Sequence, residues 1–133
     1  MNDELRRSGA SPVDMRRFRP NVVVSGLGGG EEGFEEDKWE SVLAGTKCVF
    51  DFVKPCSRCT VTTVDQDTGV VKDKKEPLGA LGKIHSGEKA NYECEKWKRQ
   101  QFFGWNAVAT SASDSDGAIV VSLNDPVKVM ATR

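Results

Sequence analysis

Apolar residues fall in short runs divided by turn-forming residues, and each run predicts one short element. Asn2 to Arg7 reads as the end of a helix, and Ser8-Gly9-Ala10-Ser11-Pro12 as a loop. Asn21-Val22-Val23-Val24-Ser25 predicts a short buried strand, and Lys47 to Val53 predicts another. Gly26 to Gly33 holds five glycines and predicts a loop. Phe34 to Leu43 predicts a short helix whose apolar members are Phe34, Trp39, Val42 and Leu43. Thr60 to Val64 is β-branched and predicts a strand, Asp65-Gln66-Asp67-Thr68-Gly69 a turn, and Val70-Val71 a return strand. Pro77 to Ile84 predicts a short helix opening at the proline. Residues 86–100 are highly charged and read as a solvated loop or helix. Ala107-Val108-Ala109 and Ala118-Ile119-Val120-Val121 predict strands around a turn at 113–117. Asn124-Asp125-Pro126 is a turn before a terminal strand, Val127 to Met130. The sum is an α+β, β-rich fold with a small barrel-like sheet and short helices, and no internal repeat.

Composition narrows the function classes. The chain has 133 residues, the size of one modest domain. Nineteen Lys and Arg balance twenty Asp and Glu, which argues against a dedicated nucleic-acid binder. No apolar run approaches the ~20 residues of a membrane helix. The first twenty residues are polar and Arg-rich, without the apolar core of a secretory signal.

Four cysteines, Cys48, Cys56, Cys59 and Cys94, read as free thiols or ligands rather than a disulfide framework. Cys56-Ser57-Arg58-Cys59 is a CxxC. A zinc site wants a second matched pair, and only single cysteines and one histidine, His85, remain. A thioredoxin-like motif should open a helix, and the β-branched run after Cys59 argues against that. Arg58, between the thiols, favours ionisation and anion binding.

Three constellations remain. Gly28-Gly29-Gly30-Glu31-Glu32-Gly33 satisfies a dinucleotide-type GxGxxG, but Glu31, Glu32, Glu35, Glu36 and Asp37 crowd carboxylates where a pyrophosphate belongs. A flexible loop is the better reading. The acidic run Glu31 to Glu40 reads as a solvated helix start, with Asp37 a candidate for proton transfer. Arg17-Phe18-Arg19-Pro20-Asn21, taken with Ser57, Arg58 and a thiol, reads as a basic, hydrogen-bonding pocket for an anionic ligand. A soft thiolate there suits soft or sulfur-rich metal centres. His85 is expected to be solvent-exposed, and Trp39, Trp97 and Trp105 to be packing residues.

The ordered series Phe18 to Gly26, Glu36-Asp37-Lys38-Trp39, Pro55-Cys56-Ser57-Arg58-Cys59 and Thr63 to Gly69 resembles the MOSC domain, the C-terminal domain of molybdenum cofactor sulfurase. Within that family it is most similar to the mitochondrial amidoxime-reducing component. Lys75-Glu76-Pro77-Leu78, Phe103-Gly104-Trp105-Asn106 and Leu123 to Val127 extend the resemblance.

The resemblance implies that Cys59 ligates molybdenum. It implies that Arg19 and Asn21 face the phosphate-bearing pterin of the molybdenum cofactor, molybdopterin, with Ser57 and Arg58 completing the pocket. Asp37 matches an acid near the metal and is the implied proton donor. The implied reaction is two-electron reduction of a small N-hydroxylated or N-oxide substrate, with electrons from a haem or flavin protein. Residues 1–15 read as a polar lead-in, the end of a truncated helix, and 16–133 as the C-terminal part of a MOSC domain. A sulfur-carrier module like the sulfurase C-terminus is a second reading; pyridoxal phosphate would belong to a separate domain. A non-functional fragment is a third. Some family members are anchored to mitochondria through N-terminal segments; none is recognised in this sequence, so cytoplasm is the default and outer-membrane association rests on resemblance alone. Leu27 and the glycine loop stand where the family often has a cysteine.

Overall fold

A computed structural model describes residues 1–26, 33–111 and 120–133. These form two units. The first joins Met1–Val23 to Cys56–Phe103, and the second joins Val24–Pro55 to Gly104–Arg133. Four strands, β1 (Trp39–Ala44), β2 (Cys48–Ser57), β3 (Phe102–Ser111) and β4 (Val127–Thr132), lie in the order β3-β2-β1-β4. The sheet is antiparallel and open, so the fold is β-rich α+β without barrel closure. The helices are short: α1 (Asn2–Arg7) and α2 (Leu78–Ile84), as the sequence predicts. Among the described residues no helix is long and apolar enough to cross a membrane.

In the second unit, the predicted helix over Phe34 to Leu43 is replaced by a 3-10 helix, Glu35–Lys38, running straight into β1. The reason lies in a register shift around Ser41, where β1 slips against β4. That irregularity puts the buried Trp39 and Val42 three positions apart, the spacing of a helix face, before alternation resumes at Ala44. β1 turns into β2 through Gly45, Thr46 and Lys47, with Ala44 opposite Cys48. Gly45 sits at φ 63, where a side chain would be strained, and its N–H bonds to Pro126 O at 2.9 Å. The predicted strands at Lys47–Val53, Ala107–Ala109 and Val127–Met130 form part of longer strands, apart from Lys47, which stays in the turn. Ala118 and Ile119, the turn at 113–117 and Gly28 to Glu32 of the glycine motif lie outside the described residues; Val120 and Val121 are exposed and not in a strand.

The described residues correct four further expectations. Asn21 to Ser25 forms no strand: Val22 and Val23 are 48% and 57% exposed, and no described segment pairs with them. β-branched composition favours extended backbone, but a strand also requires a ladder partner. Thr60–Thr63 is a 3-10 helix rather than a strand. The Thr62 and Thr63 hydroxyls donate to the carbonyls of Cys59 and Thr60, at 3.0 and 2.7 Å, giving the backbone a local alternative to a ladder. The Asp65–Gly69 turn forms as predicted, but the return strand shrinks to one bridge, Val64 to Val71. Residues 86–100 form turns, in line with the loop of the two readings. His85, expected outside, is 5% exposed. It caps α2, and its ring Nδ1 lies 2.9 Å from Phe102 O, so backbone bonding on both sides draws it inward. Leu5, Phe18, Ala80, Leu81 and Phe102 form the apolar core, with the rings of Phe18 and Phe103 stacked at 4.1 Å.

Three arginines staple the first unit together. Arg58 donates from Nε to Phe103 O at 2.9 Å and from Nη1 to Phe18 O at 2.7 Å, and its Nη2 also reaches Phe103 O. Its own N–H bonds to Gln101 O. Arg17, mostly buried, donates to Thr63 O and pairs with Asp65 at 2.8 Å. Arg16 grips Asp67 with two bonds, at 2.9 and 3.1 Å. The turn at 15–19 is thereby fixed against the segment 58–67. Asp65 is held below the usual aspartate range, chiefly by the Thr68 hydroxyl, then by backbone N–H groups of Thr68 and Asp67 and by the charge of Arg17.

A lysine ammonium lacks the planar fork whose separate nitrogens reach Phe103 O and Phe18 O, so Arg58→Lys is expected to lower stability by about 2 kcal/mol. A urea midpoint unchanged by this substitution would contradict the staple. A depressed folded-state pKa gives stability that is present above the unfolded value and lost as pH falls through the folded one. Acidification below about pH 4 should therefore weaken the unit. Asp65→Asn should destabilise it at neutral pH and reduce that acid dependence, read as urea midpoint against pH.

Candidate functional site

The sequence singled out Arg19, Asn21, Asp37, Ser57, Arg58 and Cys59. Five of these lie in the first unit and Asp37 lies in the second. β2 delivers the thiol segment: the strand ends at Ser57, Arg58 is tied to Gln101, and Cys59 caps the following 3-10 helix in extended conformation. Ser57 and Cys59 are exposed, while Cys56 is half-buried. All four cysteines are free. Cys48 is buried in the second unit, and burial pushes its thiol pKa up, which makes it an inert packing group. Among the described residues, no three His, Cys, Asp or Glu side chains gather as a metal-holding group.

The arginines are more sharply divided in their partners than the sequence suggested. Of four arginines near the motif, Arg16 and Arg17 are neutralised by Asp67 and Asp65. Arg58 spends three of its N–H groups on backbone carbonyls. Its role in the structure is to join the residue before Arg19 to the residue before Cys59. Arg19 alone keeps an exposed guanidinium with no partner among the described residues. Its backbone is left-handed, at φ 49 and ψ 50, and it precedes Pro20, a pairing of constraints that costs about 1–3 kcal/mol. The bond from Arg19 N–H to Arg16 O and the Phe18 anchor hold it there. Asn21 and Ser57 are exposed, and neither side chain bonds to another described residue.

Asp37 belongs to the 3-10 helix ahead of β1 and is half-buried. Its Oδ1 accepts a hydrogen bond from the Trp105 indole N–H at 2.8 Å. The Arg133 guanidinium lies 4.1 Å from the Trp105 ring centre. Phe52 packs against Trp105 on one side and Trp39 on the other. Sequence reading treated Trp105 as packing and passed over Arg133. Nothing in the sequence links positions 68 residues apart, so the pairing of Asp37 with Trp105 had no signal there. Asp65 and Asp67 were read as turn formers, and their use as arginine partners was missed for the same reason.

Comparison with known proteins matches this sequence to one family. The MOSC domain model matches residues 1–128. Among curated proteins, the chain is 42% identical over 92 residues to mitochondrial amidoxime reducing component 2 of Homo sapiens, covering 69% of this chain and 25% of that protein. It is 51% identical over 69 residues to the Rattus norvegicus form, covering 52% of this chain and 19% of that one. It is 40% identical over 89 residues to molybdenum cofactor sulfurase of Oryza sativa subsp. japonica, covering 62% of this chain and 10% of that protein. The chain thus spans a quarter or less of the length of these relatives. With the family model matched over nearly its whole length, the chain, with its exposed Cys59 and stapled arginine turn, belongs to the MOSC domain family.

Proposed function

We propose that this chain supplies the thiolate ligand and part of the pocket of a molybdenum-cofactor site that reduces N-hydroxylated substrates such as amidoximes. The observation that carries the reading is one exposed thiol, Cys59, built into the same stapled cluster as one unpaired guanidinium, Arg19. The residue types fit the group. A soft thiolate suits molybdenum, and a free guanidinium suits a phosphate in bidentate fashion. Cys59 would hold the metal. Arg19, Asn21 and Ser57 would hold the polar pterin side. Arg58 keeps the two flanks in place through Phe18 and Phe103.

When bound, the cofactor supplies two-electron redox chemistry, and the protein supplies orientation and protons. The balanced reaction adds two electrons and two protons to an amidoxime and yields an amidine and water. Asp37 is the proton donor that the family resemblance implies, and it would supply one of those protons. A haem or flavin protein delivers the electrons. The names of the amidoxime-reducing relatives support this assignment. The likeness to molybdenum cofactor sulfurase supports a second reading, a sulfur-carrier or cofactor-handling module whose pyridoxal phosphate partner domain is separate.

The test is metal and pterin content after expression in a host that makes the cofactor. Near-stoichiometric molybdenum is expected, falling to background in Cys59→Ala. Arg19→Ala should lose pterin several-fold while the fold is retained. No molybdenum in the unmutated chain overturns the reading. Amidoxime turnover with an artificial electron donor then separates reductase from carrier: a reductase loses turnover in Asp37→Asn with its molybdenum kept, and a carrier shows none from the start.

A further inference from the structure

We propose that Trp105 positions the Asp37 carboxylate and that Arg133 polarises the indole that does so. Three observations within the second unit carry this. The indole N–H of Trp105 donates to Asp37 Oδ1 at 2.8 Å, a full-strength hydrogen bond. The guanidinium of Arg133 lies over the Trp105 ring at 4.1 Å, well inside cation–π range. Arg133 is itself held, by its N–H to Lys38 O at 3.0 Å and by its Nη2 to Trp39 O. The chain therefore closes on itself: the 3-10 helix carrying Asp37 is followed by Lys38 and Trp39, which anchor the arginine that stacks on the indole that grips Asp37.

The arrangement has a chemical consequence. An indole can only donate, so its bond to a carboxylate is strongest when that carboxylate is charged. A cation on the indole face withdraws electron density from the ring and makes the N–H a better donor. Trp105 thus fixes one oxygen of Asp37 and favours its ionised form. Other charges share its helix or lie beside its partner: Glu35 and Glu36 oppose ionisation, Lys38 favours it but is paired with Glu35 at 3.0 Å, and the Arg133 cation on the indole favours it. For a proton donor the bond sets both orientation and acidity, so Trp105 is a positioning residue and Asp37 the group that acts. That catalytic use rests on the proton-donor role proposed for Asp37; the bond and its effect on titration do not.

The test needs no bound cofactor. In the chain labelled with 15N and 13C, the Trp105 indole N–H resonance and the Asp37 side-chain carboxyl carbon are followed against pH. Both should move with one shared midpoint, and the indole movement should vanish in Asp37→Asn. Trp105→Phe keeps the ring for Phe52 and Arg133 but removes the donor. It should raise the Asp37 midpoint by roughly one pH unit. Arg133→Met should raise it by less. An indole resonance that stays still while Asp37 titrates overturns the proposal, and this readout holds even where Trp105→Phe does not fold. An unchanged Asp37 midpoint in a folded Trp105→Phe overturns it equally. Failure to bind molybdenum, with the shared titration intact, would remove the function proposed above and leave this inference standing.

Discussion

The Arg58 guanidinium is the constraint on which the thiol segment depends. Its donors reach the carbonyls of Phe18 and Phe103, residues 40 and 45 positions away, and its backbone N–H is tied to Gln101. A charged donor shared between backbone carbonyls is worth more than a neutral bond. The stacked pair Phe18 and Phe103 lies next to these carbonyls, so the same contact that seats the guanidinium also seats the aromatic core. Arg16 and Arg17 extend the clamp to Asp67 and Asp65. Charge that looks in sequence like a basic pocket is mostly consumed in ion pairs and backbone bonds within the unit. What is left over is specific: one guanidinium, Arg19, and one exposed thiol, Cys59.

This division of labour explains why neighbouring arginines should differ in their effects. Arg17 and Arg58 act through folding, because their partners are carbonyls and a carboxylate within the unit. Arg19 pays a backbone strain to stand outside that network, at φ 49 before a proline. Strain held by surrounding bonds is a common mark of a binding position, and the three-arginine staple is what holds it. In the second unit a parallel economy operates. Arg133, Trp105 and Asp37 form a short relay in which each group fixes the next.

Much of the fold could be read from the chain because the relevant signals are local. The Asp65–Gly69 turn, the helix opening at Pro77 and the strands at Cys48 and Val127 each declare themselves within a few residues. The failures share a cause as well. The register shift at Ser41 gave β1 a helical spacing, hydroxyl back-bonding turned Thr60–Thr63 into a 3-10 helix, and Asn21–Ser25 had strand composition without a ladder partner among the described residues. The thiol motif was legible because four residues stand side by side. The arginine partners, the indole bond to Asp37 and the burial of His85 were not, since each depends on residues far apart in sequence.

The central claim is that Arg58 is spent on the backbone and Arg19 is not. Arginine Nε–H groups report this directly, because a hydrogen-bonded Nε–H exchanges slowly with water and can show scalar coupling through the bond to its acceptor. The account predicts a protected Arg58 Nε–H coupled to the Phe103 carbonyl carbon, beside a rapidly exchanging Arg19 Nε–H. An Arg58 Nε–H that exchanges as fast as that of Arg19, with no coupling to Phe103, would contradict it.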